Sequence, residues 1–332
     1  MIVTYSKNVF IPLTTNCRNF CWYCGFRTEK INLMNRKEVE SLLMRVKDAK
    51  EALFTFGEKP DTIPGFRRIL SQMGYENFLD FVVEMNKLAI RHGLLPHTNA
   101  GVLSKEELKK LKPFNASLGL MLEQAVELEC HSDSPGKKPE ERIKTIREAG
   151  KLQIPFTTGI LVGIGEKEYD RIYSLEVIAE IQKNFGHIQE VIIQNFKPKK
   201  GTKMEKFPEP SAQEMLKTVK TAREILPKDV AIQIPPNLVE SVYPFLKAGA
   251  NDLGGISEVT PDYINPEFPW PKMEDLMRLI GEEFRLRERL PIYPKFVKLK
   301  LYGCAVYELI EVYSDEDGYA NSRSIRAHKK SL

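Results

Sequence analysis

The sequence predicts an α/β fold, a (β/α)8 TIM-type barrel over residues 1–290, with a C-terminal helix and tail over 291–332 as a short appendage. Three observations carry this expectation. Short apolar runs recur eight times, separated by amphipathic segments. The runs are continuous rather than alternating, which suits parallel strands covered on both faces. Polar and glycine-rich residues follow each run directly, at the strand ends where such barrels carry their chemistry. A chain of 332 residues fits one barrel of this kind. An open doubly wound sheet is the alternative.

The first run is Val9–Thr14. A helix-like stretch over Arg36–Ala49 leads to the second, Glu51–Phe56. The periodic segment Phe78–Arg91 leads to the third, Leu94–Thr98. Ser104 stands as a helix cap with Glu107 three residues later, before the fourth run, Ala116–Leu122. Pro139–Ala149 reads as a helix ended by Gly150, before the fifth run, Phe156–Val162. The sixth run is Glu190–Phe196, and Ser211 caps a helix through Glu214. Val230–Ile234 and Asp252–Ile256 complete the eight. Beyond Pro291, Tyr302–Ser314 reads as one amphipathic helix and Asp315–Leu332 as a loose polar tail. No heptad, low-complexity linker or further repeat interrupts the alternation.

The charge balance excludes little. Net charge is +4, and the longest basic cluster, Lys197–Lys200, reads as solvated surface rather than a nucleic-acid interface. No basic-then-apolar leader and no run of about 18 apolar residues occurs, so the expectation is a cytoplasmic chain with no membrane contact. Three of the five cysteines fall within eight residues, which argues for a reducing compartment rather than a disulfide framework.

Those three are Cys17, Cys21 and Cys24, in the loop after the first run. Clustered thiolates suit zinc or iron–sulfur. A structural zinc takes four closed ligands, and His131 is a candidate fourth for a non-catalytic metal-binding module. An iron–sulfur cluster usually takes four cysteines, so three would leave one iron open. Cys130 and Cys304 lie far away and read as inert, buried apolar residues. The segment His131–Lys138 reads as a loop over the barrel mouth.

The spacing C-x3-C-x2-C, with Tyr23 just before the last cysteine, resembles the signature of the radical S-adenosylmethionine (SAM) superfamily. That resemblance implies a 4Fe-4S cluster on Cys17, Cys21 and Cys24. SAM would chelate the fourth iron and be cleaved to methionine and a 5′-deoxyadenosyl radical. By the same resemblance, Gly57-Glu58 contacts the SAM ammonium, although Phe56 replaces the first glycine of the usual Gly-Gly-Glu turn. Glu123 would hold the ribose and Arg142 the carboxylate. The turn Gly163-Ile164-Gly165-Glu166 and the backbone of Tyr23 would meet adenine. Thr55, Gln194 and Phe196 stand at neighbouring strand ends and count with the cofactor contacts.

Longer matches narrow the resemblance. They include Phe54-Thr55-Phe56-Gly57-Glu58-Lys59-Pro60, Pro96-His97-Thr98-Asn99-Ala100-Gly101 and Asn251-Asp252-Leu253-Gly254-Gly255-Ile256-Ser257. Over about residues 8–275 they resemble the 7,8-didemethyl-8-hydroxy-5-deazariboflavin (FO) synthase family, in its separate-subunit form. The resemblance implies a partner radical SAM subunit that makes a tyrosine–uracil adduct, and a reductant protein. This chain would convert the adduct to FO, the chromophore of coenzyme F420, as an ammonia-releasing carbon–nitrogen lyase. A substrate so rich in polar groups needs polar partners in a closed pocket. Asn99, Gln233, Asn237, Asp252 and Ser257 are the candidates, with His97 or Glu258 as base. Another radical SAM cyclase, such as a menaquinone-pathway enzyme, is the rival within the superfamily.

Overall fold

The structure is a computed structural model that describes residues 1–322. Eight parallel strands close a barrel: β1 (Ile2–Ile11), β2 (Glu51–Thr55), β3 (Leu95–Asn99), β4 (Ser117–Gly119), β5 (Phe156–Val162), β6 (Ile188–Asn195), β7 (Ala231–Gln233) and β8 (Asp252–Ile256). Each strand pairs with the next, and β1 pairs with both β8 and β2. The barrel prediction therefore holds over the open sheet. β1 starts well before its apolar run, because Thr4, Ser6 and Asn8 are polar yet buried. Their burial comes from the barrel interior, which no local apolar pattern announces.

A ninth strand, β9 (Arg285–Glu288), was not expected from Arg285-Leu286-Arg287-Glu288. It pairs with Ile2–Tyr5 of β1, while β2 pairs with Asn8–Ile11 higher on the same strand. β9 thus continues the barrel wall beneath β2 and delivers the following residues to the barrel floor.

The surrounding helices form where caps and apolar stripes agree. Asn35 with Glu38, Ser104 with Glu107 and Ser211 with Glu214 each make a reciprocal capping box. The helix Phe78–Arg91 buries Phe78, Phe81, Val82, Met85 and Leu88 on one face. The first predicted helix is shorter than expected, at Arg36–Met44. The helix after Pro139 runs to Lys151, past Gly150. Gly150 is a packing residue rather than a stop, since a Cβ there would lie 2.7 Å from the Phe185 ring. Gln153, at φ 52°, makes the turn instead.

The C-terminal segment also differs from expectation. Cys304–Val306 is a separate 3-10 turn before the helix Tyr307–Tyr313, and Cys304 is exposed rather than buried. Residues 315–322 are not a loose tail. Arg287 pairs with Asp315 at 2.8 Å and Asp317 at 3.0 Å, and Ala320 N–H donates to Glu288 O at 3.1 Å. The rest of the predicted tail, 323–332, lies outside the described residues. Among the described residues, no helix is long and apolar enough to cross a membrane.

Candidate active site

A cavity of about 400 Å³ runs from the carboxyl ends of the strands down inside the barrel. Because strand side chains alternate, Ser6, Asn8 and Phe10 of β1, Glu51, Leu53 and Thr55 of β2, and Glu190, Ile192 and Gln194 of β6 face inward and line it. The cysteine loop forms part of the mouth, and Arg289 and Pro291 reach the bottom.

Cys17, Cys21 and Cys24 are unbridged, partly exposed and all line this cavity. Cys17 Sγ accepts backbone N–H groups from Asn19 at 3.4 Å and Glu58 at 3.2 Å. Cys21 Sγ accepts the Ser134 hydroxyl at 3.5 Å. Among the described residues, no three His, Cys, Asp or Glu side chains surround a single-ion position. His131 Nε2 instead bonds the Tyr23 hydroxyl at 2.9 Å. Three cavity-facing soft donors, two already receiving N–H or O–H groups, fit an iron–sulfur group with one open corner. The segment expected to lie over the mouth props this loop from beside it. Asn19 Oδ1 accepts Gly136 N–H at 2.8 Å, and Phe20 N–H donates to Ser134 Oγ at 3.0 Å. Cys130 is buried with Leu161, Ile164, Phe196 and Met204, and burial pushes its thiol up to about 12.

Charged residues ring the mouth. Gly57 is fitted against the cysteine loop, since a Cβ there would lie 1.9 Å from Asn16 O. Phe56, in place of a glycine, turns into the core and meets Phe78 edge-on at 5.0 Å. Glu58 pairs with Arg18 at 2.8 Å and Arg142 at 3.6 Å, and accepts Val102 N–H at 3.1 Å. Glu123, at φ 64°, pairs with Lys137 and, at 3.8 Å, with Arg142. Burial alone would raise the Glu123 carboxyl, but Lys137 and Arg142 hold it below its usual range. Arg142 also donates to Met121 O at 2.6 Å and Gly136 O at 2.8 Å, so it ties three segments together. The cations Arg18, Lys137 and Arg142 outnumber the carboxylates Glu58 and Glu123, which leaves a field suited to a further anion.

The floor is a second charged centre. Arg289 is buried and grips Asp252 with two bonds, Nε to Oδ2 at 2.7 Å and Nη2 to Oδ1 at 3.0 Å. Its Nη2 also donates to Glu190 Oε1 at 3.1 Å. Thr157 donates to Glu190 Oε2 at 2.9 Å, and Ser6 to Glu51 Oε2 at 2.6 Å. Burial pushes Glu190 up to about 8 and also raises Glu51. Asp252, despite its burial, is held low by Arg289. His97 lines the cavity above, between Ser117 Oγ at 2.6 Å and the Asn99 amide at 3.2 Å. Burial pushes His97 down to about 4, so it is a neutral imidazole at neutral pH. Asn99 donates in turn to Thr55 at 3.0 Å.

The cavity brings together the cysteines, Tyr23, Thr55, Gly57, Glu58, Glu123, Arg142, Gln194, Phe196, His97, Asn99 and Gln233. Other expected residues lie elsewhere. Glu258 is exposed and borders a separate surface pocket with Lys7, Arg45 and Lys47, so the structure does not support it as base. Ser257 is turned to Thr260, with their hydroxyls 2.7 Å apart. Asn237, past the short β7, donates to Asp262 at 3.0 Å and Phe268 O at 3.1 Å. Asp252 reaches the cavity only through Arg289. Gly163 and Ile164 stand behind the wall, where their N–H groups donate to Glu166 at 2.8 Å. Sequence reasoning missed Arg289, Glu190, Glu51 and Lys137. The one available signal was that Glu51, Glu190 and Asp252 each begin an apolar strand run, and buried acids require a cation.

The chain matches the radical SAM superfamily model over residues 11–178. It is 70% identical over 320 residues to a 7,8-didemethyl-8-hydroxy-5-deazariboflavin synthase from Archaeoglobus fulgidus, covering 96% of this chain and 99% of that one. A Methanococcoides burtonii protein of the same name is 54% identical over 323 residues, covering 96% and 97%. The chain belongs to the FO synthase family of radical SAM proteins. Membership in the family implies an iron–sulfur cluster and SAM. Among solved structures, a maturase of the FeFe-hydrogenase superposes with a TM-score of 0.68 at 16% identity, covering 92% of this chain and 68% of that one. Methylornithine synthase superposes at 0.59 and 20%, covering 100% and 86%. These two likenesses speak to the barrel alone.

Proposed function

We propose that this chain converts 5-amino-5-(4-hydroxybenzyl)-6-(D-ribitylimino)-5,6-dihydrouracil to FO, releasing ammonia, methionine and 5′-deoxyadenosine. It is then a carbon–nitrogen lyase, with a 4Fe-4S cluster on Cys17, Cys21 and Cys24. The observation that carries the reading is one continuous cavity with three free thiols at its mouth and polar strand residues beneath them. The name borne by relatives of nearly equal length supports the product. When bound, the cluster supplies the electron that cleaves SAM to a 5′-deoxyadenosyl radical.

The chain's residues position and shield. The Arg142 guanidinium and the surplus positive charge around it suit the SAM carboxylate, with Glu58 for the ammonium and Glu123 for the ribose. The wall formed by Thr55, Asn99, Gln194 and Gln233 holds the substrate's carbonyl and hydroxyl groups. His97, kept neutral by burial and with both ring nitrogens engaged by Ser117 and Asn99, fixes the Asn99 amide in the wall rather than removing a proton. The deep barrel excludes water from a reactive radical. A separate radical SAM subunit supplies the adduct, and a reductant protein supplies the electron.

The test is anaerobic. The protein is reconstituted with iron and sulfide and given SAM, reductant and the adduct. Deazaflavin fluorescence together with 5′-deoxyadenosine is the expected result. Deoxyadenosine without the fluorophore would point to another radical SAM cyclisation, and neither product from a cluster-loaded protein would overturn the reading.

A further inference from the structure

The cavity contains a side-chain amide that the protein leaves without a partner. Asn8 stands on β1, is 1% exposed and lines the cavity. Among the described residues, neither its Nδ2 nor its Oδ1 has a hydrogen-bond partner. Native structures rarely leave both ends of a buried amide unmade, because each was hydrogen-bonded in water before folding. Ser6, the neighbouring inward hydroxyl, is already committed to Glu51 at 2.6 Å.

The wall beside Asn8 is cut to fit it. A Cβ at Gly255 would lie 2.1 Å from Asn8 Nδ2, so only glycine leaves the amide its place. The preceding residue repeats the device. Gly254 has φ 73°, and a Cβ there would lie 2.3 Å from Nε2 of Gln233, which also lines the cavity. Two carboxamides therefore flank one stretch of backbone stripped of side chains. Asn8 is level with Glu51 in the β1–β2 register, low in the barrel and below the cysteine loop that follows Ile11. That depth separates it from the mouth contacts assigned to SAM.

We propose that Asn8 reads the cyclic amide edge of the substrate's pyrimidine ring, its Oδ1 accepting the ring N–H and its Nδ2 donating to the adjacent carbonyl. A carboxamide presents donor and acceptor side by side in one plane, which matches a ring N–H beside a carbonyl and is the geometry by which Asn reads nucleobase edges. A flexible polyol chain offers no such fixed pair. The proposal rests on the function proposed above, whose adduct carries this edge and whose product, FO, keeps it.

FO is fluorescent, so binding is measurable without turnover. The cluster-loaded protein with SAM is titrated with FO and with FO methylated at the pyrimidine N–H, comparing wild type with Asn8→Ala. Wild type should bind FO more tightly than the methylated compound by about tenfold or more. Asn8→Ala should bind FO more weakly by a similar factor and no longer distinguish the two. Among the described residues the Asn8 side chain makes no hydrogen bond, so the variant should unfold no earlier than wild type. If it misfolds, Asn8→Ser serves the same comparison. A folded variant that still discriminates as wild type does would overturn the proposal, as would a wild type that makes FO yet binds both compounds equally. A wild type that makes no FO from the adduct would instead overturn the function, and this inference with it.

Discussion

The mouth and the floor of the cavity both hold buried charge, but they are built in different ways. At the mouth, Arg18, Lys137 and Arg142 come from loops and a helix start, and they outnumber Glu58 and Glu123. At the floor, one guanidinium from the segment after β9 faces Asp252 and Glu190, with Glu51 close by. The mouth keeps spare positive charge for an incoming anion. The floor satisfies its own charges, and burial raises Glu190 and Glu51, the carboxyls that one arginine cannot neutralise. A site that must admit ligands stays electrostatically open, and one that closes the barrel does not.

The sharpest way to break this contrast is at the thiols. Cys24→Ser should lose cluster iron and all detectable FO formation, while far-UV circular dichroism stays that of the folded barrel. Normal iron content with normal turnover would remove the thiols from the reaction. The floor should answer in stability instead. Arg289→Met strands two buried carboxyls and should cost about 3–5 kcal/mol in urea unfolding. Adding Asp252→Asn and Glu190→Gln should restore most of that loss, and a failure to restore it would mean that Arg289 acts by packing alone. Arg142 tests the mouth's spare charge. Arg142→Ala should weaken SAM binding about tenfold by equilibrium dialysis with iron content unchanged. Unchanged SAM affinity would leave it only its role as a tie between Met121 and Gly136.

The smallest effect is in pH. The Glu190 carboxyl is pushed up from 4.5 to about 8 by burial, so the folded state holds this proton more tightly than the unfolded chain. Its contribution to stability is full below about 4.5 and is lost as pH rises through about 8. Glu190→Gln should therefore flatten the fall in melting temperature over that window. His97, His131 and His187 act with the opposite sign. Burial pushes each down from 6.5 to about 4, so their contribution is present above 6.5 and lost as pH falls toward 4. A variant that keeps the wild-type slope between pH 6.5 and 8 would show that another group carries the floor's proton.

The two regions also differ in how far the sequence reveals them. Most of the mouth was legible. The cysteine spacing, Gly57-Glu58, Glu123 and Arg142 all follow predicted strands or begin a predicted helix, and the cavity gathers them. Lys137 escaped because its segment read as a loop rather than as the brace of the cysteine loop. The floor was nearly invisible. Arg289 follows a four-residue polar strand, and its partners lie 37 and 99 positions away. At the eighth strand end the order of residues misled. Ser257 and Glu258 follow the apolar run directly, yet one turns to Thr260 and the other to solvent.

By itself the sequence determined the barrel's eight strands, the helix caps at Ser104 and Ser211 and the thiol loop, because each depends on neighbours a few positions apart. Strand runs and capping boxes are local patterns, and three cysteines in eight residues are gathered by the chain itself. Only the tertiary structure decided which polar residues face inward, that β9 completes the wall, and that the Asn8 amide stands against Gly255 with no partner among the described residues. Those features depend on barrel closure, which sets residues far apart in the chain at one level of a shared interior.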